Sequence, residues 1–322
     1  MQKQSILGFS EEENVPLGSG SQWICIVTAL DDIDDRIVAL LQADGRSSLG
    51  WIAKELGMSR TAVHGRVERL LRSGAVRITA AVHPHAMGLV SLGHISVRVQ
   101  GSAYAVASTL VTSQFAPFVS VVAGEFGVVA ELRCTDIQQL ASVVEETQSL
   151  ADVRDVETFV YTDIAKDVNF PVGNVVGATL DDIDIAIIDV LQENGRTPYA
   201  AIATKVGQSA SAVRLRINKL RSAGLLHIGA LLDGGILGLE SMIGVELRFT
   251  GCVDVRQKAL KALVKMPEVS YLAVGLGRCD AIVTIATSSA DQGVRALEVI
   301  RDTDGVSVGS TWMHLDLLKE RY

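Results

Sequence analysis

Several features that would settle a function outright are missing from this chain. Aromatic residues make up 5% of its 322 positions, too few for an extended base-stacking surface. No stretch approaches the roughly 18 uninterrupted apolar residues of a membrane-spanning helix, so a soluble protein is expected although 48% of the residues are hydrophobic. Cys25, Cys134, Cys252 and Cys279 lie far apart, with no close pair for zinc or redox chemistry. Reduced thiols in a cytoplasmic protein are the simplest reading. The six histidines do not fall at metal-ligand spacing, and GLGRCD at 275–280 is only superficially like a phosphate loop. Neither metal nor cofactor is therefore expected. Basic charge is not in excess, with a formal net charge of −8, so any nucleic-acid footprint must be local. The first 20 residues carry Glu11, Glu12 and Glu13 and no basic segment leading into an apolar one, which makes a poor secretory signal.

What is present is a duplication. Shifting the sequence by 150 residues aligns 30–80 with 180–230 without a gap, with 21 identities in 51 positions. The register continues through Gly88-Leu89 and Gly238-Leu239 and then slips by three, after which Gly124-Glu125-Phe126-Gly127 aligns with Gly277-Arg278-Cys279-Asp280 and Thr158 with Thr311. The expected organisation is an N-terminal extension over 1–29, in which 23–27 could add a strand, followed by helix-turn-helix domains at 30–80 and 180–230. Each is followed by a second domain, at 81–161 and 231–322, and Pro171, Gly173 and Gly177 mark a linker over 162–179.

Within each first part the apolar spacing is helical: Ile33, Ile37, Leu40 and Leu41 in one copy, Ile183, Ile187, Val190 and Leu191 in the other. Acids at 31, 32 and 34, and at 181, 182 and 184, favour a helix start. A short second helix follows, its cap clearest where Thr197 precedes Pro198. Gly57 or Gly207 turns the chain, and Ser59 or Ser209 caps a third helix. This pattern predicts a helix-turn-helix whose last helix enters a DNA major groove. Residues 57–77 hold five Arg against one Glu, and 207–227 hold three Arg and one Lys with no acid, so each stretch carries a formal +4. Candidate DNA-binding residues are Ser59, Arg60, Thr61, His64, Arg66 and Arg69, with Ser209, Ser211, Arg214, Arg216 and Lys219 in the second copy. Those near the helix start are placed for base edges and those further along for phosphates. Arg66 and Arg216, identical in register, fit a structural ion pair equally well.

The second parts alternate strand and helix in the order βαββαβ, a ferredoxin-like motif. Their first strands, 94–99 and 244–249, alternate as half-buried strands do, and the last are expected near 157–161 and 310–314. His83 and His85 share a face of an extended chain, but a turn around Pro84 explains them better than a metal. The fold class is thus α+β, two repeats of a helix-turn-helix domain joined to a βαββαβ domain.

The LDDIDxxI opening, the Gly-Arg pair before the second helix, the SxxAVxxRxxxL third helix and the strand ending in Gly-Leu together resemble the leucine-responsive/asparagine (Lrp/AsnC) family of transcription regulators. The resemblance implies a DNA-binding domain and an effector-binding domain responsive to amino acids, with double-stranded DNA, a small-molecule effector and further copies of the chain as partners. Gly277, Arg278 and Asp280 match the family's GxxD effector element, whereas the first copy has Gly127 in place of the Asp. The same two-domain fold occurs in sirohaem decarboxylases, which depend on a pocket rich in histidine and aromatics. Residues 102–160 and 252–311 hold no histidine, so the enzyme is the weaker alternative.

Overall fold

In a computed structural model, residues 30–168, 180–232 and 241–320 are described; the extension with its expected strand at 23–27, the proline-marked part of the linker and the Gly238-Leu239 turn lie outside them. The first unit runs α1 (Asp32–Ala43), α2 (Leu49–Leu56), α3 (Arg60–Arg72), β1 (Val76–Val82), β2 (Ser91–Val99), α4 (Ala103–Thr112), β3 (Phe118–Gly124), β4 (Val128–Cys134), α5 (Ile137–Gln148) and β5 (Val153–Asp167). The second repeats it as α6 (Asp182–Glu193), α7 (Tyr199–Val206), α8 (Ala210–Ser222), β6 (Leu226–Leu232), β7 (Ser241–Phe249), α9 (Val253–Lys265), β8 (Val269–Leu276), β9 (Ala281–Thr287), α10 (Ala290–Arg301) and β10 (Val306–Glu320). A 3₁₀ turn, Pro84–Met87, follows β1, with His83 as its cap and His83 Nδ1 accepting the His85 N–H.

Both first helices start on a capping box, Asp31 with Asp34 and Asp181 with Asp184, so the acids read from the sequence satisfy the orphan N–H groups of the first turn. The cap of α2 is Ser48, which accepts the Trp51 N–H. The expected cap at Thr197 is not formed. Pro198 itself sits at the cap position with extended backbone, and the Thr197 hydroxyl turns back to the Asn194 carbonyl.

The two units are not beads on a string. Strands β1 and β6 pair antiparallel into a ribbon, with Thr79 opposite Gly229, and one apolar core runs through both helix-turn-helix domains, from Ile37 and Val63 to Ile187, Val213 and Ile228. The remaining strands close an eight-stranded barrel in the order β10-β3-β4-β2-β5-β8-β9-β7. The seams β5–β8 and β10–β3 join one unit to the other. These seams explain two departures from expectation. Strand β5 continues through Asp167, into the segment expected as linker, because Tyr161 to Asp167 pair with β8. Strand β2 is buried from Ser91 to Val97 on both faces instead of alternating, because one face meets the helices and the other the barrel interior. The interior is plugged midway by Phe126, Phe159, Ile282 and Trp312.

Candidate nucleic-acid interface and effector cleft

Helices α3 and α8 present their basic faces outward. Ser59 and Ser209 accept the N–H groups of Ala62 and Ala212, which assigns both hydroxyls to capping. Arg60, Thr61 and His64 of α3, and Ser211, Arg214 and Lys219 of α8, are exposed. His64 lies 3.7 Å from Glu68, which also binds Arg72 at 2.6 Å. Other candidates are ion-paired to the first helix. Arg66 Nη1 donates to Asp31 (2.6 Å) and Asp34 (2.8 Å), and Arg216 Nη1 to Asp181 (2.7 Å) and Asp184 (2.8 Å). Arg69 Nη2 donates to Asp34 at 2.6 Å. For Arg66 and Arg216 the structural ion pair that their register fits equally well is the one formed, and Arg69, its side chain 44% exposed, is also held by Asp34, so the acids at the start of the first helix tie each third helix to its neighbour. The Arg66 and Arg216 guanidiniums accordingly hold the Asp31 and Asp181 carboxyls below the usual range. Two exposed apolar side chains escaped the sequence reading, Trp51 on α2 and Leu215 on α8, where the first copy has Gly65. Each breaks the polar face of its helix, which is the signal that would have found it.

The Gly-Arg pairs lock the two reading heads together. Arg46 donates to the carbonyls of Gly195 (2.8 Å) and Thr197 (3.0 Å), and Arg196 to those of Gly45 (2.8 Å) and Ser47 (3.2 Å). The N–H of Gly45 bonds Ile228 O, that of Gly195 bonds Ile78 O, and a Cβ at either glycine would meet an isoleucine Cγ2 within 2.8 Å. The spacing of α3 and α8 is therefore built into a packed interface.

At the far mouth of the barrel, Arg278 lies between the carboxylates of Glu157 and Glu246, with Nε 2.5 Å from Glu246, and stacks over Phe126 at 4.5 Å. Arg98 pairs there with Asp155 (2.8 Å) and Glu157 (2.5 Å). A cleft of about 540 Å³ opens beside Glu157, Glu246, Arg248 and Arg278. Gly277 has a φ of +156° and its absent Cβ would lie 2.9 Å from Thr158 O, so glycine lets the turn approach the first unit. Asp280 Oδ2 accepts the Phe249 N–H at 2.8 Å, anchoring the turn to β7. Its counterpart Gly127 has no room for a side chain, since a Cβ would meet Val99 Cγ2 at 2.3 Å.

The AsnC-type helix-turn-helix domain matches residues 30–71 and again 180–221. The HTH-type transcriptional regulator FL11 of Pyrococcus abyssi is 34% identical over 134 residues, 41% of this chain and 89% of that protein. This chain belongs to the Lrp/AsnC family. The proline dehydrogenase transcriptional activator of Rhizobium radiobacter is 29% identical over 147 residues, 44% of this chain and 92% of the activator. Each relative matches less than half of the chain, which carries two AsnC-type units in tandem. Among solved structures, the siroheme decarboxylase NirDL superposes with a TM-score of 0.62 over 90% of this chain and 93% of its own, at 15% identity, a likeness of fold.

Residues 102–160 and 252–311 of this Lrp/AsnC chain hold no histidine, yet closure of the barrel brings two histidines from outside them into its interior. His94 and His314, just outside the segments read as histidine-free, line one cavity with Phe118, Tyr161, Tyr271 and Trp312. They escaped notice because β2 and β10 are far apart in sequence and meet only by closure of the barrel. Burial pushes His94 down to about 3 and His314 to about 4 from an ordinary 6.5. The groups facing His94 are Glu131 across β4, His314, Arg278 and the Trp312 ring. Both imidazoles are neutral in the fold and charged when unfolded in acid, so their contribution is complete above pH 6.5 and is lost as pH falls toward 4. Each is expected to cost about 1.4 kcal/mol per pH unit in that window. Urea midpoints at pH 7 and 5 check this, and the drop should shrink in His94→Asn and His314→Asn; equal drops in all three proteins would refute it.

Proposed function

We propose that this chain regulates transcription by binding duplex DNA sequence-specifically with α3 and α8 as two unlike reading heads. The observation that carries the reading is that both exposed basic helices stand on one packed core, held by the reciprocal arginines. Base contacts fall to Arg60, Thr61 and His64 on one side and to Ser211 and Arg214 on the other, with Lys219 as a phosphate contact. The preferred site is then a pair of unlike half-sites, and a random-library selection with the purified protein tests this; recovery of a perfect palindrome sinks it.

Arg60→Ala and Arg214→Ala are expected to relax preference at separate positions by roughly 1–3 kcal/mol if a bidentate base contact is lost. Lys219→Ala should weaken all sequences alike and reduce the slope of log affinity against log salt by about one. Arg69→Ala, already spent on Asp34, should lower stability and leave that slope unchanged. Filter binding from low to high salt separates the two; a changed slope for Arg69→Ala would return it to the DNA.

The effector in this reading is an amino-acid-class molecule in the Arg278 cleft, bound once per chain, with no catalytic step. Gly277 and Asp280 shape the turn, Glu157 and Glu246 meet an ammonium group, and Arg248 or Arg278 a carboxylate. The cleft lies across the seam between units, so occupancy can reach the assembly of several fused chains in the cytoplasm. Calorimetry across the proteinogenic amino acids tests it, and two bound ligands per chain would contradict it.

A further inference from the structure

A second cavity, of about 690 Å³, lies at the opposite mouth of the barrel, beneath the β1–β6 ribbon. Gln42, Arg77 and Leu231 of the DNA-binding part form its roof. His94, Phe118, Tyr161, Tyr271 and Trp312 line the barrel side. The apolar plug of Phe126, Phe159, Ile282 and Trp312 separates it from the Arg278 cleft.

Its polar groups are nearly all spoken for. Trp312 Nε1–H donates to His314 Nε2 (3.2 Å), which obliges His314 Nδ1 to carry the proton and donate to Ser120 Oγ (2.9 Å); Ser120 in turn donates to Asp316 O (3.0 Å). Arg133 Nε donates to Glu131 Oε1 (2.6 Å), and Tyr271 OH to Glu131 Oε2 (3.1 Å). His94 differs. It is only 7% exposed, and its Nε2 has no hydrogen-bond partner among the described residues; of the cavity's other polar groups the buried Ser241 Oγ shares this state, which is unfavourable for a buried polar atom in a folded protein. The duplication shows that the space is particular to this pairing. The counterpart of His94 is Gly244, where a Cβ would run into the Trp312 indole at 2.0 Å, so on that side the ring already fills the room.

We propose that this cavity binds an uncharged heteroaromatic small molecule, its ring among Phe118, Tyr161, Tyr271 and Trp312 and its nitrogen edge hydrogen-bonded to the His94 imidazole. Around His94 the Glu131–Arg133 pair is mutually neutralised and the aromatic faces and open imidazole suit a neutral ring, whereas the cavity's other charged residues, Arg77, Asp167, Asp316, Lys319 and Glu320, belong to the ribbon and to the C-terminal parts of β5 and β10. The volume lies within the roughly 300–1,000 Å³ of small-molecule pockets. An occupant touches both the ribbon joining the reading heads and the barrel below, and its binding does not depend on the DNA or effector reading.

Saturation-transfer NMR on the full chain with indole, quinoline and adenine as probes tests this. At least one probe should bind, with affinity reduced about tenfold in His94→Leu, as for one lost hydrogen bond. Binding should vanish in Ala286→Trp, which places a ring in the cavity, and persist in Arg278→Ala. Melting curves confirm that the variants fold, and if Ala286→Trp does not, competition of the probes for wild-type Trp312 fluorescence in a Trp23→Phe/Trp51→Phe background replaces it. Absence of binding by all three probes, equal binding by His94→Leu, or equal binding by folded Ala286→Trp overturns the proposal.

Discussion

Replacing Asp34 by Ala is expected to destabilise the first helix-turn-helix by roughly 2–3 kcal/mol, the loss of charge-assisted hydrogen bonds to two partly exposed arginines together with a helix cap. The Asp34 side chain is only 3% exposed and holds Arg66 through Oδ1 and Arg69 through Oδ2. It also closes the capping box of α1. Its loss leaves Arg69 without this partner, Arg66 with Asp31 alone, and the Asp31 N–H uncapped. The duplicated unit supplies an internal control. Asp184 is 13% exposed and, among the described residues, pairs with one arginine, Arg216, while closing the same capping box, so Asp184→Ala should cost about half as much. Urea denaturation of the two variants decides the matter, and equal losses would show that the second arginine and the deeper burial contribute nothing. Asp31 and Asp181, held below the ordinary carboxylate range by Arg66 and Arg216, stabilise the fold above that range and cease to do so as pH falls through their folded values.

Removing both clamp arginines, Arg46→Ala with Arg196→Ala, should cost roughly 3–4 kcal/mol, since each charged donor serves two carbonyls of the opposite unit and a charge-assisted bond contributes about 1.5–3 kcal/mol. Arg46→Ala should be the costlier single change, because its guanidinium also stacks on Tyr199 at 4.4 Å. Arg196, partly buried beside Arg46, has a lowered pKa. The effect reaches beyond stability. A loosened interface lets the reading heads vary in separation, so selection from a library of half-sites at different spacings should widen from one favoured spacing to several. Lysine cannot reproduce a planar fork that spans two carbonyls, and full rescue by Arg46→Lys with Arg196→Lys would contradict the account.

The helix-turn-helix parts were legible because their determinants are local. Capping acids, glycine turns and apolar residues every three or four positions act within a few residues of one another, and α1, α3, α6 and α8 lie where that pattern puts them. The reading helices were found by concentrated charge, but charge alone does not say where a side chain points. Arg66 and Arg60 are alike in sequence; only the packing of α3 on α1 brings the first within 2.6 Å of Asp31 and leaves the second exposed. The Gly-Arg pair was visible as a motif, but its work lies across the partner unit, about 150 positions away in sequence.

The amino-acid sequence by itself determined the duplication, the order of helix-turn-helix and βαββαβ parts, the Ser59 and Ser209 caps and the family, because each depends on identity or on short-range periodicity. Tertiary structure alone decided that the two units share one core and one closed barrel, that β5 and β10 extend to make the seams, that Asp280 anchors a turn, and that His94 and His314 face one cavity. The physical reason is that strand pairing between units and barrel closure are set by long-range hydrogen bonds and burial. These bring together residues such as His94 and Trp312, whose separation along the chain carries no sign that their rings lie 5.6 Å apart.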